Sequence, residues 1–280
     1  MHIPFALALA AALAAPWAAQ AQSAWLFGEQ HDQRDHQHQT AEAVAQLAHE
    51  GRLQAVVLEM SERGLSTRGL PRDASEAAVQ SDLHWDGRGW PWANYREVVM
   101  NAVRAGVPVL GGNLPRDKLR DAMKQPRWDS AVPATARERL TEAVREGHCG
   151  MVPDEQLPSM VRMQIARDRS LAETLAEASR GAAPSAVVLM LSGSAHASRL
   201  TGVPLHVATI APQLAVRSIG FTQEGADEPS LQGFDERRVA RADPSPDQCA
   251  ELRRHGMPSM NGAAPTSSAA SAPASTPSTP

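Results

Sequence analysis

Acidic and imidazole side chains follow an apolar run near the start of the chain. The run is Ala24–Phe27, and Gly28, Glu29, His31 and Asp32 come directly after it. Carboxylate and imidazole groups transfer protons and bind divalent metal ions. Because ligands of open α/β sheets bind just beyond the carboxyl ends of strands, this string predicts a functional site if the run is a strand.

Three further apolar runs end in polar groups of the same kind. Glu59 follows Ala55–Leu58, Asn113 and Arg116 follow Val107–Leu110, and His196 follows Ala186–Leu191. Short branched runs bounded by turn and polar signals are typical of buried strands. In a parallel sheet the four endings share one edge, so the sequence predicts a functional cleft there.

A metal-dependent hydrolase is one function that these groups allow. Glu29, His31, Glu59 and His196 would then be catalytic, with His31, Glu59 and His196 as ligands of a divalent ion that activates water. His36 is four residues from Asp32, so on a helix the two share a face. The alternative for that segment is a solvated helix start.

A long helical stripe carries a second polar group. Gln164, Arg167 and Asp168 fall on the same face as Met160 and Leu171. Burying polar groups is costly unless they are paired. Either this face therefore lines the cleft, or Arg167 and Asp168 form an internal structural network.

Helical patterns fill the gaps between the runs. Stripes begin near Thr40, Tyr95 and Leu140 and end at Gly51, Gly106 and Gly147, and a fourth extends from Pro158 to near Gly181. This alternation favours an α/β fold with a mainly parallel central sheet flanked by helices and a smaller helical lobe. A further strand is predicted at Leu214–Ile219, and His206–Ile210 is another candidate.

The ends of the chain differ from its centre. Residues 1–21 are apolar and finish in Ala19-Gln20-Ala21, which is typical of a secretory signal peptide. Since no cysteine lies near this cleavage site, we expect a periplasmic or secreted protein without a lipid anchor. Residues 257–280 are rich in Ala, Ser, Thr and Pro, which predicts a disordered tail.

Between these ends we expect an α/β domain at 22–222 and a C-terminal extension at 223–256. The lobe is predicted at about 61–94 and 114–183. The net charge of −4 gives no support for nucleic-acid binding. Cys149 and Cys249 either pair in an oxidising compartment or remain free.

Aromatic residues are few but clustered. Trp85, Trp90 and Trp92 are followed by Tyr95, in a chain with 4% aromatic residues. Flat aromatic surface suits a large planar ligand, and the alternative is packing between the lobe and the sheet.

Together these segments resemble the ChaN-like haem-binding uptake family. The matching stretches are 28–32 with His36, 58–60, 90–95, 112–116, 146–150, Gln164 with Arg167 and Asp168, 192–196 and 202–204. They run in order across most of the chain after the predicted signal peptide.

The resemblance implies haem binding and a role in bacterial iron acquisition. A tyrosine is an expected iron ligand in that family, which here points to Tyr95, with His148 or His196 as the fallback. Trp90 and Arg96 would contact the haem, and arginines such as Arg88, Arg96 or Arg116 would hold its propionates.

The resemblance also suggests partners and a second function. Haem can lie between two protomers of such proteins, so a homodimer and an outer-membrane haem receptor are candidate partners. The family is distantly similar to Tiki, TraB and erythromycin-esterase-like proteins, which include hydrolases. The matching residues for that reaction would be Glu29, His31, Glu59 and His196.

Overall fold

The computed structural model describes residues 22–223, 232–244 and 247–255. The predicted signal peptide and the Ala/Ser/Thr/Pro tail lie outside the described residues. The positions of all the candidate site residues are therefore defined.

A central sheet organises the described chain. Its strands are β1 Ser23–Glu29, β2 Leu53–Glu62, β3 Val109–Asn113, β4 Val187–Gly193, β5 Ala215–Gln223 and β6 Glu236–Ala240. Their order is β3-β2-β4-β1-β5-β6, and every neighbouring pair is parallel. The predicted α/β fold with a parallel sheet is confirmed, and the carboxyl ends of the strands share one edge.

Helices connect the strands and cover both faces of the sheet. They are α1 Arg34–His49, α2 Glu76–Asp82, α3 Trp92–Ala105, α4 Arg116–Lys124, α5 Ala134–Gly147, α6 Leu157–Ser179, α7 Ser194–Ala197, α8 Val203–Ile210 and α9 Gln248–His255. Short 3-10 turns lie at Pro126–Ser130 and Asp154–Gln156. Within the described residues, no helix combines the length and the apolar character that a membrane crossing requires.

Two apolar layers hold the helices to the sheet. On one face, Val44 of α1 and Val98 of α3 belong to a buried cluster with Leu58 and Leu189. On the other face, Leu171 of α6 belongs to a second cluster. Burial of such side chains contributes about 1.5–3 kcal/mol each, so both layers stabilise the sheet whose edge carries the polar groups.

A third apolar cluster lies among the helices that follow β3. It joins α5 and the first half of α6 through Leu140, Val144 and Ile165. The first half of α6 therefore packs on other helices, while its second half packs on the sheet.

The segment 206–210 is not a strand, and that prediction is wrong. It forms the second half of α8, which has Pro204 in its first turn. A short buried apolar run does not distinguish a strand from a buried helix by periodicity. Proline at the start of a helix is favoured because its missing N–H would be unpaired there in any case.

The two cysteines form a disulfide. Cys149 and Cys249 have Cα atoms 5.5 Å apart and close a sequence separation of 100 residues. The bond ties α9 to the loop after α5. A nucleophilic thiol at Cys149 is thereby excluded, and the pairing left open by the sequence is settled.

Candidate functional site

Glu29, at the end of β1, accepts three hydrogen bonds although only 1% of it is exposed. The Tyr95 hydroxyl donates to Oε1 at 2.8 Å, and His31 Nδ1 lies 2.7 Å from the same oxygen. The Gln37 amide donates to Oε2. The first carboxylate predicted from the sequence is thus held from three directions.

Opposing influences act on the pKa of Glu29 and on that of His31. Burial raises the pKa of Glu29 above its usual value, and the hydrogen bond with His31 only partly offsets this. Burial alone would lower the pKa of His31, but the hydrogen bond to Glu29 and the charge of Glu59 raise it overall. His31 therefore keeps its proton to a higher pH than a free histidine does.

Glu59, just before the end of β2, is also buried and fully paired. Arg167 Nη2 donates to its Oε1 at 2.5 Å, and the backbone N–H of Gly193 donates to Oε2 at 2.7 Å. His196 Nε2 lies 3.4 Å from Oε1. Burial favours the neutral acid, but the charges of His196 and Arg167 outweigh it and hold the pKa of Glu59 well below its usual range.

His196 lies between two carboxylates. Its Nδ1 is 2.6 Å from Oδ1 of Asp168, a side chain of α6 that is 1% exposed. Desolvation disfavours the charged imidazole, yet Glu59 and Asp168 together raise the pKa of His196 to about 9. At neutral pH this imidazole is protonated, so it donates hydrogen bonds instead of accepting a proton.

The short helix α7 places His196 at this position. A Cβ on Gly28 would lie 2.9 Å from Ala197 Cβ and 3.0 Å from Ser194 Cα. Because real Cβ contacts are rarely this short, glycine at position 28 lets α7 approach β1 closely.

Arg167 connects this buried group to the end of β3. Its Nε donates to Asn113 Oδ1 at 2.9 Å, and its Nη1 donates to Gln164 Oε1 at 3.0 Å. Asn113 in turn donates to the Glu59 carbonyl at 2.8 Å. The network and the cleft alternatives for α6 therefore both apply, since Arg167 also lines the cleft described next.

We refer to Glu29, His31, Glu59, Asp168 and His196 as the carboxylate–histidine cluster. It confirms that the strand endings converge. No group of three or more His, Cys, Asp or Glu in the described parts of the chain is arranged as a metal site. The divalent-metal alternative is therefore not supported.

An open cleft of about 470 Å³ lies beside this cluster, over the ends of β2 and β3. It is lined by residues 59–62 of β2, His84, Asp86 and Trp90 from the loop before α3, Asn113 and Leu114 after β3, Arg116 and Leu119 of α4, and Met163 and Arg167 of α6. Polar groups form one part of its wall, and Trp90, Leu114, Leu119 and Met163 supply apolar surface. Its volume is in the range of small-molecule sites.

The cleft reaches the cluster at Glu59, which belongs to both, and at Trp90. The Trp90 ring contacts the His31 ring edge-on, with centroids 4.6 Å apart. The backbone carbonyl of Trp90 accepts a hydrogen bond from Trp85 Nε1 at 2.8 Å. Trp92 instead donates to Glu76 at 2.6 Å. Of the three tryptophans, Trp90 alone lines the cleft, whereas Trp85 and Trp92 pack on each other.

Tyr95, predicted as an iron ligand, is fully buried beneath Trp90 and Trp85. Burial and the neighbouring Glu29 carboxylate raise the pKa of Tyr95 above its ordinary value, which disfavours the phenolate. A ligand role would require the hydroxyl to leave Glu29, and it stays a prediction.

The remaining predicted residues lie apart from the cleft. His148 Nδ1 is 2.7 Å from the Val144 carbonyl of its own helix, and Arg96 is exposed 3.9 Å from Glu76. His36 is buried and stacks on Phe221, and its burial lowers its pKa to about 4, so it is neutral.

Several site residues were not predicted from the sequence. Gln37 contacts Glu29, while His84, Leu119 and Met163 line the cleft. His84 lies within the tryptophan-rich segment, which was the available signal. The other three carry no local signal because only packing brings them to the site.

A sequence model of the family described as "Haem-binding uptake, Tiki superfamily, ChaN" matches residues 17–207. This chain belongs to the ChaN family. The match includes every residue of the carboxylate–histidine cluster and of the cleft.

A solved ChaN structure has a similar fold. It is titled "Cofacial heme binding to ChaN of Campylobacter jejuni", with a TM-score of 0.61 and 22% sequence identity. The alignment covers 78% of this chain and 86% of that one. A comparison with curated proteins finds no match.

Proposed function

We propose that this ChaN-family protein binds haem in the cleft over β2 and β3 and serves bacterial haem and iron uptake. The observation that carries the proposal is the cleft itself, where apolar and aromatic walls stand beside arginine. Haem is a flat, apolar macrocycle with two carboxylates, so it needs both kinds of surface.

The groups that line the cleft fit this ligand. Trp90, Leu119 and Met163 offer apolar contacts, and Arg116 is 68% exposed at its side chain, within reach of a carboxylate at the rim. Arg116 forms ion pairs with Asp86 at 2.8 Å and with Glu62 at 3.5 Å. It would also attract a haem propionate while keeping these contacts. Bound haem supplies an iron whose properties depend on its axial ligand and surroundings.

A periplasmic or secreted location is part of the proposal. The apolar residues 1–21 and their Ala19-Gln20-Ala21 ending support export. The Cys149–Cys249 disulfide supports an oxidising compartment, where such bonds persist.

A homodimer that shares haem and an outer-membrane haem receptor are the proposed partners. The solved relative is described as binding haem cofacially, which supports two haem groups meeting face to face. Sedimentation with and without hemin tests the dimer. An unchanged monomer at saturating hemin would contradict it.

The site is tested by hemin titration followed by absorbance, with the protein beginning at Gln22. Leu119→Glu places a carboxylate inside the cleft, so we expect haem affinity to fall at least about tenfold. Arg120→Glu is the matched control, because Arg120 is the exposed neighbour on α4 and does not line the cleft.

The control makes the larger change in charge. If charge alone governed binding, Arg120→Glu would lose as much affinity as Leu119→Glu. Equal losses, or none in either variant, would place haem elsewhere. Absence of saturable binding by the wild type would overturn the proposed function.

Hydrolysis is the second candidate, favoured by the two carboxylate–imidazole pairs. His196 is enclosed and protonated, whereas the His31 side chain is 38% exposed with buried Glu29 orienting it. This arrangement resembles a base held by a carboxylate. Since the pKa of His31 is raised, a smaller fraction of it would be neutral and able to act as a base than for a free histidine at the same pH.

This candidate is tested with model esters on chelator-treated protein. We expect a rate that rises with pH and is lost in His31→Gln, with His38→Gln on the surface of α1 as the control. A rate unaffected by His31→Gln would exclude the reaction at this site.

A further inference from the structure

The histidines of the described chain differ in what they are free to bind. His31 and His196 are held by carboxylates, and His38 lies 3.2 Å from Glu97. His36 and His206 are buried. An imidazole in these positions must break a contact or leave the interior before it can reach a ligand.

His84 is the exception at the cleft. It is exposed, it lines the cleft, and its imidazole has no hydrogen-bond or ionic partner among the described residues. Two other histidines are less well placed, since His148 contacts its own helix and His49 ends α1 away from the cleft.

We propose that His84 is the axial ligand of the haem iron. This inference rests on the proposed function and names the residue that defines its chemistry. Imidazole is an established protein ligand of haem iron, and it binds through a neutral ring nitrogen.

The backbone presents His84 in a defined direction. Its φ of 46° lies in the left-handed region, which few residues other than glycine adopt. The turn is fixed on both sides, because Leu83 is fully buried and the Trp85 N–H donates to the Gln80 carbonyl at 2.9 Å. The Leu83 carbonyl also accepts from Ser61 Oγ at 2.9 Å.

This anchoring connects His84 to the edge of the sheet. Ser61 belongs to β2, whose end also forms the cleft. A ligand held by a rigid support loses little conformational entropy on binding. The turn thus holds an unpaired imidazole at the wall of the cleft that Leu119 and Met163 also line.

The competing ligand is Tyr95. Its hydroxyl is enclosed and donates to Glu29, and its raised pKa disfavours the phenolate form that a ferric iron binds. His84 needs no such rearrangement. If His84 is the ligand, substitution of His84 changes the haem spectrum. If Tyr95 is the ligand, substitution of Tyr95 does so.

The experiment compares four proteins by hemin titration, absorbance and electron paramagnetic resonance: wild type, His84→Asn, Tyr95→Phe and His38→Ala. Asparagine tolerates the left-handed backbone, so His84→Asn removes the imidazole while keeping the turn. We expect a changed Soret band, a changed spin state and at least about tenfold weaker binding in this variant. His38→Ala controls for loss of a surface histidine.

A rescue measurement separates ligation from folding. His84→Gly also suits the positive φ, and we expect added imidazole to restore the wild-type spectrum. Circular dichroism verifies that each variant is folded. Failure of imidazole to restore the spectrum of folded His84→Gly counts against the assignment.

Two failures are distinguishable. A wild-type spectrum in His84→Asn, with binding still lost in Leu119→Glu, would overturn the His84 assignment and leave haem in the cleft. A changed spectrum in Tyr95→Phe alone would transfer the role to Tyr95. No saturable binding by the wild type would overturn both proposals.

Discussion

The carboxylate–histidine cluster and the cleft lie at the same sheet edge but differ in how their polar groups are satisfied. In the cluster, Glu29, Glu59 and Asp168 are each almost fully buried, and each has a hydrogen-bonded partner. In the cleft, His84 and Arg116 are exposed to solvent.

This difference indicates that the cluster supports the fold and that the exposed groups of the cleft are available to a ligand. A buried charge is strongly destabilising without a partner, so the cluster cannot release its groups without cost. Exposed groups are solvated and exchange water for a ligand more easily. We therefore infer that the cluster supports the sheet edge, which agrees with the proposal that haem binds in the cleft.

The largest expected effect is the loss of protein stability when a carboxylate of the cluster is removed. Glu59→Ala removes the carboxylate that Arg167, His196 and the Gly193 N–H share, and it leaves the two buried cations without its charge, so we expect the free energy of unfolding to fall by about 3–5 kcal/mol. Glu62→Ala on the same strand removes only the partly exposed contact with Arg116, with a loss below about 1 kcal/mol. Urea unfolding measures both, and equal losses would remove the distinction between the two regions.

The second effect is the pH dependence that His196 gives to the free energy of unfolding. Its pKa rises from 6.5 when unfolded to about 9 when folded. The stabilisation is therefore complete below pH 6.5 and is lost as pH rises through about 9. This pKa shift corresponds to a contribution of about 3 kcal/mol to the free energy of unfolding.

Urea unfolding between pH 6 and 10 measures this loss, and the imidazole resonances in NMR give the pKa directly. In His196→Gln we expect the free energy of unfolding to vary less with pH. An NMR pKa of His196 near the free value would refute the paired imidazolium.

A smaller effect is expected from Tyr95→Phe. Removing the hydroxyl takes one donor from Glu29 while His31 and Gln37 remain, which costs about 1–2 kcal/mol. Thermal unfolding measures this loss, and we expect the haem spectrum to stay that of the wild type. Loss of haem binding with unchanged stability would reverse the assignment of Tyr95 from support to binding.

The smallest effect is expected at the rim of the cleft. Arg116→Ala should leave the free energy of unfolding within about 0.5 kcal/mol of the wild type, because the side chain is exposed. Haem affinity should fall a few-fold, and less so at high salt, because screening already weakens this contact. Arg116→Lys, which keeps the charge, should retain more affinity. Identical hemin titrations for all three proteins would show that Arg116 does not contact the ligand.

The sequence predicted the sheet because its central strands are short, apolar and bounded by turns. Gly106 was correctly expected to end a helix, and it has a φ of 78° after α3. The strand β6 was not predicted, because Glu236-Arg237-Arg238 is polar and the strand lies at the sheet edge. A hydrophobic pattern identifies buried strands better than solvent-exposed edges.

The same limit applies to the site. Four strand endings indicated that Glu29, Glu59, Asn113 and His196 would converge, because a parallel sheet imposes that geometry. The pairing of Tyr95 with Glu29 joins residues 66 positions apart, and it depends on how α3 packs. His84 was missed although it lies in the tryptophan-rich segment, because nothing in the sequence indicates the positive φ of this non-glycine residue.

The Cys149–Cys249 bond, which joins residues 100 positions apart, closes a covalent ring that contains β4, β5 and β6. One backbone cut anywhere inside this ring would leave both pieces joined, so a nicked molecule would migrate intact until a reductant separated it. After such a cut, β4, β5 and β6 would thus remain covalently attached to the rest of the chain.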